Sequence, residues 1–215
     1  VFDTCLRYRM CGTNLSQFIM RECPILPERM LSCLVRIAEQ LNYSDRTFSE
    51  AVYEKSSLYR YALTASERLR LMVISDAVVA RLYGLSYEDY KSFLENCDHP
   101  AECLSNKKFT RNLFPKGFWR VDRELAPELR QTVLSLVAFR DLETCIETCG
   151  GDRDAGIQAF LSQHGGDGWM LPETLRLADY GLGHDERAQV PQPVAAQLGP
   201  RFYAWQLAQS PDEFR

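Results

Sequence analysis

The chain has 215 residues, of which 46% are hydrophobic and 25% are charged, and its formal net charge is −4. This composition is that of an ordinary globular protein with one large or two small domains, and the acidic balance argues against a protein that coats nucleic acid. We find no secretory signal and no apolar run long enough to cross a membrane, so we expect a cytoplasmic protein.

The first 27 residues contain the strand candidates of the chain. Short apolar runs at 18–20 and 25–26 are broken by prolines, and Pro27 suits the first turn of a following helix. Because the chain opens at Val1 with sequence that already has a structured pattern, we expect a piece of a longer polypeptide.

Helical periodicity dominates the next segment. Apolar residues at helical spacing predict a helix over 28–41, and a weaker helical pattern follows over about 47–61. Between them, residues 42–45 read Asn-Tyr-Ser-Asp and break the pattern. We therefore expect two consecutive helices here.

The segment 69–83 is apolar on nearly every face. A helix of this kind must lie inside a larger body, because no face of it suits solvent. The helix opens near Thr64 and ends at Gly84, and Ser86 is placed to start a further helix over 86–97. The sequence thus predicts a sharp helix–glycine–helix corner.

Residues 98–125 are the least regular part of the chain. A long helix is predicted over 126–149, with Pro127 in its first turn and Gly150 and Gly151 after its end. This helix carries a continuous apolar stripe.

Shorter elements complete the C-terminal part. The pattern predicts a helix over 154–161, a short helix over 171–177, a loop over 179–200 and a final amphipathic helix over 201–209. The expected fold class is therefore mainly α: a multi-helix body with a short irregular or β-containing N-terminal segment and long loops.

The eight cysteines contain no Cys-x-x-Cys pair. Cys145 and Cys149 lie four residues apart on a predicted helix, in line with its apolar stripe, which indicates buried free thiols in a reducing compartment. One alternative is a zinc site, because zinc binds thiolate and imidazole ligands. Its ligands would be Cys97, His99 and Cys103 with either Cys5 or Cys11. That spacing matches no common zinc knuckle, so we predict no metal.

A basic and aromatic cluster is the candidate DNA-binding site. Cations would neutralise phosphates, and the interleaved aromatic residues could pack on sugars or on a displaced base. The alternative is a loop whose aromatic residues dock in the core while its cations stay solvated. The cations of this cluster are Lys107, Lys108, Arg111, Lys116, Arg120 and Arg123.

A few isolated residues have simpler interpretations. Asp76 is a lone carboxylate on the apolar helix, and it needs a partner such as Arg81 or a nearby helix N-terminus because an unpaired buried charge is costly. His164 and His184 have the setting of surface or capping residues. The tryptophans Trp119, Trp169 and Trp205 are interpreted as core or interface anchors.

Three segments carry a family resemblance. Residues 75–85 read Ser-Asp-Ala-Val-Val-Ala-Arg-Leu-Tyr-Gly-Leu. They resemble the Leu-Asp-Ala-Leu-Val-Ala-x-Leu-Tyr-Gly-Leu signature of type IIG-like adenine DNA methyltransferases, the large single-chain enzymes of restriction–modification and phage defence. The next block of the family is similar to residues 116–122 and 127–130 of this chain. The exit from the family's target-recognition region is similar to residues 14–19 and 23–27.

The resemblance implies a division of the chain into four parts. Residues 1–27 would end the target-recognition region, 28–97 would form a helical subdomain, 98–125 a basic and aromatic connector, and 126–215 a C-terminal helical subdomain. The family's glycine-rich cofactor motif and its Asn-Pro-Pro-Tyr catalytic motif are absent from this chain. We therefore expect no catalytic residue and no bound cofactor here.

The whole enzyme that the resemblance implies transfers a methyl group from S-adenosylmethionine to adenine N6 in duplex DNA. This chain would be its non-catalytic helical part, which supports DNA recognition and packs on the methyltransferase core of the same polypeptide. One rival is a docking module for a helicase or another defence-system protein, which exposed aromatic residues around 180–205 would suit. The other rival is a zinc-stabilised helical domain without a DNA role.

Overall fold

A computed structural model gives the fold of this chain and describes residues 27–42, 63–95, 125–182 and 186–208. Most of these residues are helical, which confirms the predicted mainly α class. The strand candidates before Pro27 and the helix predicted over 47–61 lie outside the described residues. None of the described helices combines the length and apolar character that a membrane span needs.

The described elements are α-helices, short 3-10 helices and one small sheet. The α-helices are α1 Glu28–Asn42, α2 Ala65–Leu82, α3 Tyr87–Glu95, α4 Gln131–Thr148, α5 Arg153–Gly166, α6 Ala195–Leu198 and α7 Ala204–Ala208. The 3-10 helices are Pro127–Leu129, Leu177–Tyr180 and Glu186–Gln189. The sheet pairs β1 Thr174–Leu175 with β2 Gln192–Pro193 in antiparallel register, Thr174 opposite Pro193 and Leu175 opposite Gln192.

Helix α4 is the centre of the body. It packs against α2, α3 and α5, while α1 packs against α2 and α5. Every residue from 131 to 139 is buried, so the first half of α4 is covered on all sides. The bulky side chains of Phe139 and Leu142 are fully buried at this centre. A helix without a polar face is stable only when other elements enclose it.

The predicted helix–glycine–helix corner is confirmed. The Thr64 hydroxyl accepts a hydrogen bond from the Glu67 backbone N–H at 3.1 Å and so caps α2. Gly84 follows α2 with a φ of 73°, which only glycine adopts without strain. Ser86 and Asp89 then cap α3 reciprocally, since each side chain accepts from the other's backbone N–H.

The prediction of one unbroken helix over 126–149 is wrong. A 3-10 turn at Pro127–Leu129 comes first, and Arg130 is extended with φ −80° and ψ 141° before α4 begins. Glu128 and Leu129 are both buried in the turn, and Glu128 pairs with Arg187 from a distant 3-10 helix. The extended backbone at Arg130 therefore separates the turn from α4.

The short helix predicted over 171–177 and the loop predicted over 179–200 are also wrong. Residues 174–175 form β1 and pair with β2, and the Val194 N–H extends the pairing by donating to the Glu173 carbonyl at 3.0 Å. Leu175 is buried while Thr174 is exposed, which is the alternation of a strand. A strand of two residues is too short for its alternation of buried and exposed side chains to be recognised in the sequence.

Candidate functional site

The residues predicted to bind DNA lie outside the described part of the chain. They are Lys107, Lys108, Arg111, Lys116, Arg120 and Arg123. Cys97, His99, Cys103, Cys5 and Cys11 of the alternative zinc site also lie outside it. Within the described ranges, no group of three His, Cys, Asp or Glu side chains is placed to hold a metal ion. The DNA-binding site therefore stays a prediction from the sequence, and the zinc site stays an untested alternative.

A cleft of about 360 Å³ opens between α1, α2 and the segment that follows α5. Its charged lining consists of Arg36, Glu67, Arg70, Asp167 and Arg201. These side chains come from four separate parts of the chain, around positions 36, 67–70, 167 and 201. The geometry of each side chain decides what the cleft can bind.

Glu67 is held in the cleft by two arginines. Arg70 donates from Nε and Nη2 to the two Glu67 carboxylate oxygens at 2.8 and 2.6 Å. Arg201 reaches the same oxygens from the other side, with Nε at 2.8 Å and Nη2 at 3.2 Å. Glu67 and Arg70 are only 4% and 2% exposed. Two forked arginine pairs on one buried carboxylate fix the start of α2 to the C-terminal segment.

The protonation of Glu67 follows from these contacts. Burial alone would raise the pKa of Glu67, but the hydrogen bonds and positive charges of Arg70 and Arg201 outweigh burial and lower this pKa below its ordinary value. The carboxylate is therefore ionised at neutral pH and is a poor proton acceptor. This arrangement suits structure and binding and does not suit general acid–base catalysis.

Arg70 also orders the loop after α5. Its Nη1 donates to the carbonyl oxygens of Asp167 and Trp169, both at 2.7 Å. Arg201 Nη1 donates to the Asp167 carboxylate at 3.2 Å. The segment 167–169 is thus held to α2 by one buried guanidinium, which leaves the neighbouring cleft wall in a fixed position.

Arg36 completes the cleft from α1. Its Nη2 donates to the Gly166 carbonyl at 2.8 Å, and the side chain is half-buried. None of the described carboxylates pairs with it. Arg36 is therefore a positioned cation whose remaining N–H groups can serve as donors inside the cleft.

A second polar cluster lies around Asp141 on α4. Trp169 Nε1 donates to Asp141 Oδ2 at 2.7 Å, and the Tyr180 hydroxyl lies 3.4 Å from Asp141 Oδ1. Burial raises the pKa of Asp141 despite these two hydrogen bonds. Burial and the Asp141 charge together raise the pKa of Tyr180 to about 12. The cluster joins α4 to the segment 169–180 and has the features of a structural contact.

The lone carboxylate of the apolar helix has a structural partner. Asp76 is 6% exposed, and its Oδ2 accepts a hydrogen bond at 2.9 Å from the side-chain amide of Gln131, the first residue of α4. The predicted need for a partner is thus met by a side-chain amide on the first residue of α4. Arg81, the other predicted partner, donates to the Leu85 carbonyl at 3.2 Å.

The remaining isolated residues have mixed outcomes. His164 is exposed, as predicted, while His184 and Trp119 lie outside the described residues. Trp169 is buried as a core anchor, and Trp205 is 54% exposed, so its other predicted role, that of an interface anchor, stays a prediction. The pair Cys145 and Cys149, predicted to be buried, is only half-buried, although both are free thiols.

Sequence reasoning missed the cleft. Glu67 and Arg70 are three residues apart on one helix face, which is a detectable local pair. Arg201 lies 134 residues further along the chain, and no pattern in the sequence connects it to Glu67. The pairing results from the tertiary packing of the segment after α6 against the start of α2.

Comparisons with protein-family models, with curated proteins and with solved structures give no match to this chain. The assignment of a function therefore rests on the residues themselves. The resemblance of segment 75–85 to the methyltransferase signature remains a prediction.

Proposed function

We propose that this chain is the non-catalytic helical part of a bacterial site-specific adenine-N6 DNA methyltransferase from a restriction or phage-defence system. In this proposal it supports DNA recognition and packs on the methyltransferase core. The supporting observation is the setting of segment 75–85, which resembles the family signature. In that segment Asp76 holds α4, and Gly84 forms the corner between α2 and α3.

This setting explains why the signature would contain these residue types. Ala77, Val78 and Ala80 have no exposed surface, so larger side chains there would push α2 away from its neighbours. Asp76 orients the first residue of α4, and Gly84 adopts a positive φ. Each residue has a structural role, which agrees with a supporting part of an enzyme whose methyl-transfer chemistry lies elsewhere.

The DNA contact of the proposal is tested by charge reversal. We expect duplex DNA to bind this chain with an affinity that falls steeply as salt rises, because cations on the connector displace counterions. Changing Lys107, Lys108 and Arg111 together to glutamate should abolish binding. The same triple reversal at Arg140, Arg153 and Arg176, which are surface residues of the described body, is the control. Binding that is absent, or that does not depend on salt, would refute DNA contact.

A second candidate function, protein docking, is favoured by an apolar surface at the C-terminal end. Tyr203 and Trp205 stack with ring centroids 6.1 Å apart, and Tyr203, Trp205 and Leu207 are 43%, 54% and 60% exposed. The neighbouring Gln206 is buried, so the predicted amphipathic helix directs its apolar side chains outward. We call Tyr203, Trp205 and Leu207 the C-terminal apolar surface.

The two candidates differ in what covers this surface. Packing on a methyltransferase core would protect the backbone amides of α7 from hydrogen exchange in the complete gene product, compared with this chain alone. Docking of a separate defence protein would leave α7 unprotected until that protein is added. Trp205→Ala should reduce the protection in either case, while Ala196→Ser on α6 is a neutral control.

A further inference from the structure

The described lining of the cleft has an excess of one positive charge. Three arginines and two carboxylates face it. Glu67 pairs with Arg70 and Arg201, and Asp167 pairs with Arg201. We propose that this cleft binds a small ligand with a single carboxylate, and that Arg36 holds the carboxylate. The proposal does not depend on the methyltransferase assignment.

Arg36 has the geometry of an anchoring residue. One of its nitrogens is held by the Gly166 carbonyl at 2.8 Å, which fixes the plane of the guanidinium at the edge of the cleft. The remaining donors are left for a ligand, and a planar fork of N–H groups matches the two oxygens of a carboxylate. A guanidinium already fixed by the protein loses little conformational entropy when it binds.

The charge of the cleft favours a monoanion. A single carboxylate balances the one excess positive charge of the described lining. A phosphate dianion would leave a negative excess beside the Glu67 and Asp167 carboxylates, and repulsion at such short range is strong in a partly desolvated cleft. Inorganic phosphate is therefore expected to bind much more weakly than a carboxylate of similar size.

The rest of the lining sets the size of the ligand more than its polarity. Ile37, Leu71, Ile74 and Leu161 belong to the lining but are themselves buried, and the Arg201 guanidinium covers the Phe202 ring at 4.8 Å. A volume of about 360 Å³ is that of a small-molecule site. The carboxylate could belong to a free small molecule or to the end of a peptide, and both sources present the same chemistry.

The test uses the native cysteine of the cleft as a reporter. Cys33 is a half-buried free thiol in the lining, so a bound ligand should slow its alkylation, measured by mass spectrometry of the Cys33 peptide in the full 215-residue chain. Hexanoate should protect Cys33, while hexanamide and inorganic phosphate should not. A peptide that ends in a free leucine carboxylate, compared with its amidated form, tests the second source. Protection by hexanoate alone identifies a small-molecule site, and protection by both acids but neither amide identifies a carboxylate site open to peptides.

Two variants locate the binding at Arg36. Arg36→Gln should weaken hexanoate protection at least tenfold, whereas Arg153→Gln on the surface of α5 should leave it unchanged. Gln40→Glu, one helical turn from Arg36 in the same lining, would supply an internal carboxylate and should weaken protection similarly without removing a hydrogen bond. Circular dichroism verifies that each variant is folded. Equal protection by hexanoate and hexanamide, no protection by either acid, or full protection in folded Gln40→Glu would overturn the proposal.

Discussion

At the scale of single residues, the Glu67 carboxylate joins distant parts of the described body. It is buried between Arg70 and Arg201, and Arg201 lies 134 positions further along the chain than Glu67. Removing one member of a buried ion pair is costly because the remaining charge stays desolvated. We expect Glu67→Gln to lower the free energy of unfolding by about 3–5 kcal/mol in urea titrations. Glu143→Gln, which breaks an exposed pair with Arg140, should change it by less than about 1 kcal/mol.

The same residue predicts a dependence of stability on pH. The folded state lowers the pKa of Glu67 below its ordinary value of 4.5. Its contribution to stability is therefore complete above the unfolded pKa, and it is lost as the pH falls through the folded pKa. The unfolding free energy of the wild type should fall more steeply below about pH 4.5 than that of Glu67→Gln. Parallel curves for the two proteins between pH 5 and pH 2 would refute the role of Glu67.

Gly156 marks the closest approach of two helices. A Cβ atom at this position would lie 2.4 Å from Ile146 Cγ1 and 2.5 Å from Ile146 Cα, so α4 and α5 would have to separate. Overpacking of this kind lowers the free energy of unfolding by about 1–3 kcal/mol. We expect a loss at the upper end of this range, because the added Cβ would also contact backbone atoms. Gly156→Ala should lower the melting temperature accordingly, while the exposed Ala155→Ser should not. An unchanged melting temperature for Gly156→Ala would contradict the packing.

Residue-scale chemistry was partly predictable from the sequence. The sequence indicates that a carboxylate on an apolar helix needs a hydrogen-bond partner, and Gln131 at the start of α4 donates to Asp76. Which residue would provide it depended on the angle between α2 and α4, which local sequence does not encode. The sequence does not distinguish Arg36 and Arg201 from surface arginines, because only tertiary contacts place these two side chains in the cleft.

At the scale of secondary-structure elements, the caps determine where helices begin. The Thr64 hydroxyl accepts from Glu67 N–H and also donates to the Arg201 carbonyl at 2.9 Å, so it stabilises both α2 and the C-terminal segment. Thr64→Ala should cost about 1–2 kcal/mol in the unfolding free energy. Thr144→Ala, which removes an exposed hydroxyl on α4, should stay within about 0.5 kcal/mol of the wild type. Equal losses in the two variants would show that the Thr64 cap is not important.

Elements whose sequence pattern lies within the element were predicted correctly. Elements that depend on contacts between residues distant in the sequence were not. Helix α1 was predicted from periodicity, and the end of α2 was predicted from Gly84, because each signal lies within the element. The break at Arg130 depends on burying Glu128 against a distant segment. The β1–β2 pair depends on an antiparallel contact between strands 18 residues apart, which periodicity in either strand cannot reveal.

At the scale of the whole molecule, the described residues form a helical body around α4 with an apolar surface at one end. A helix that is enclosed on all sides gives the body one continuous core. The C-terminal apolar surface at Tyr203, Trp205 and Leu207 is a part of this body that a neighbouring structure would cover favourably. These features suit a supporting part that is attached to other elements.

The most direct test of the account is a methylation assay with radiolabelled S-adenosylmethionine and duplex DNA. The account predicts that the complete gene product incorporates label into adenine N6, and that this 215-residue chain alone neither incorporates label nor binds S-adenosylmethionine. Methyl transfer by the chain alone, or a complete gene product with no adenine methylation, would contradict it.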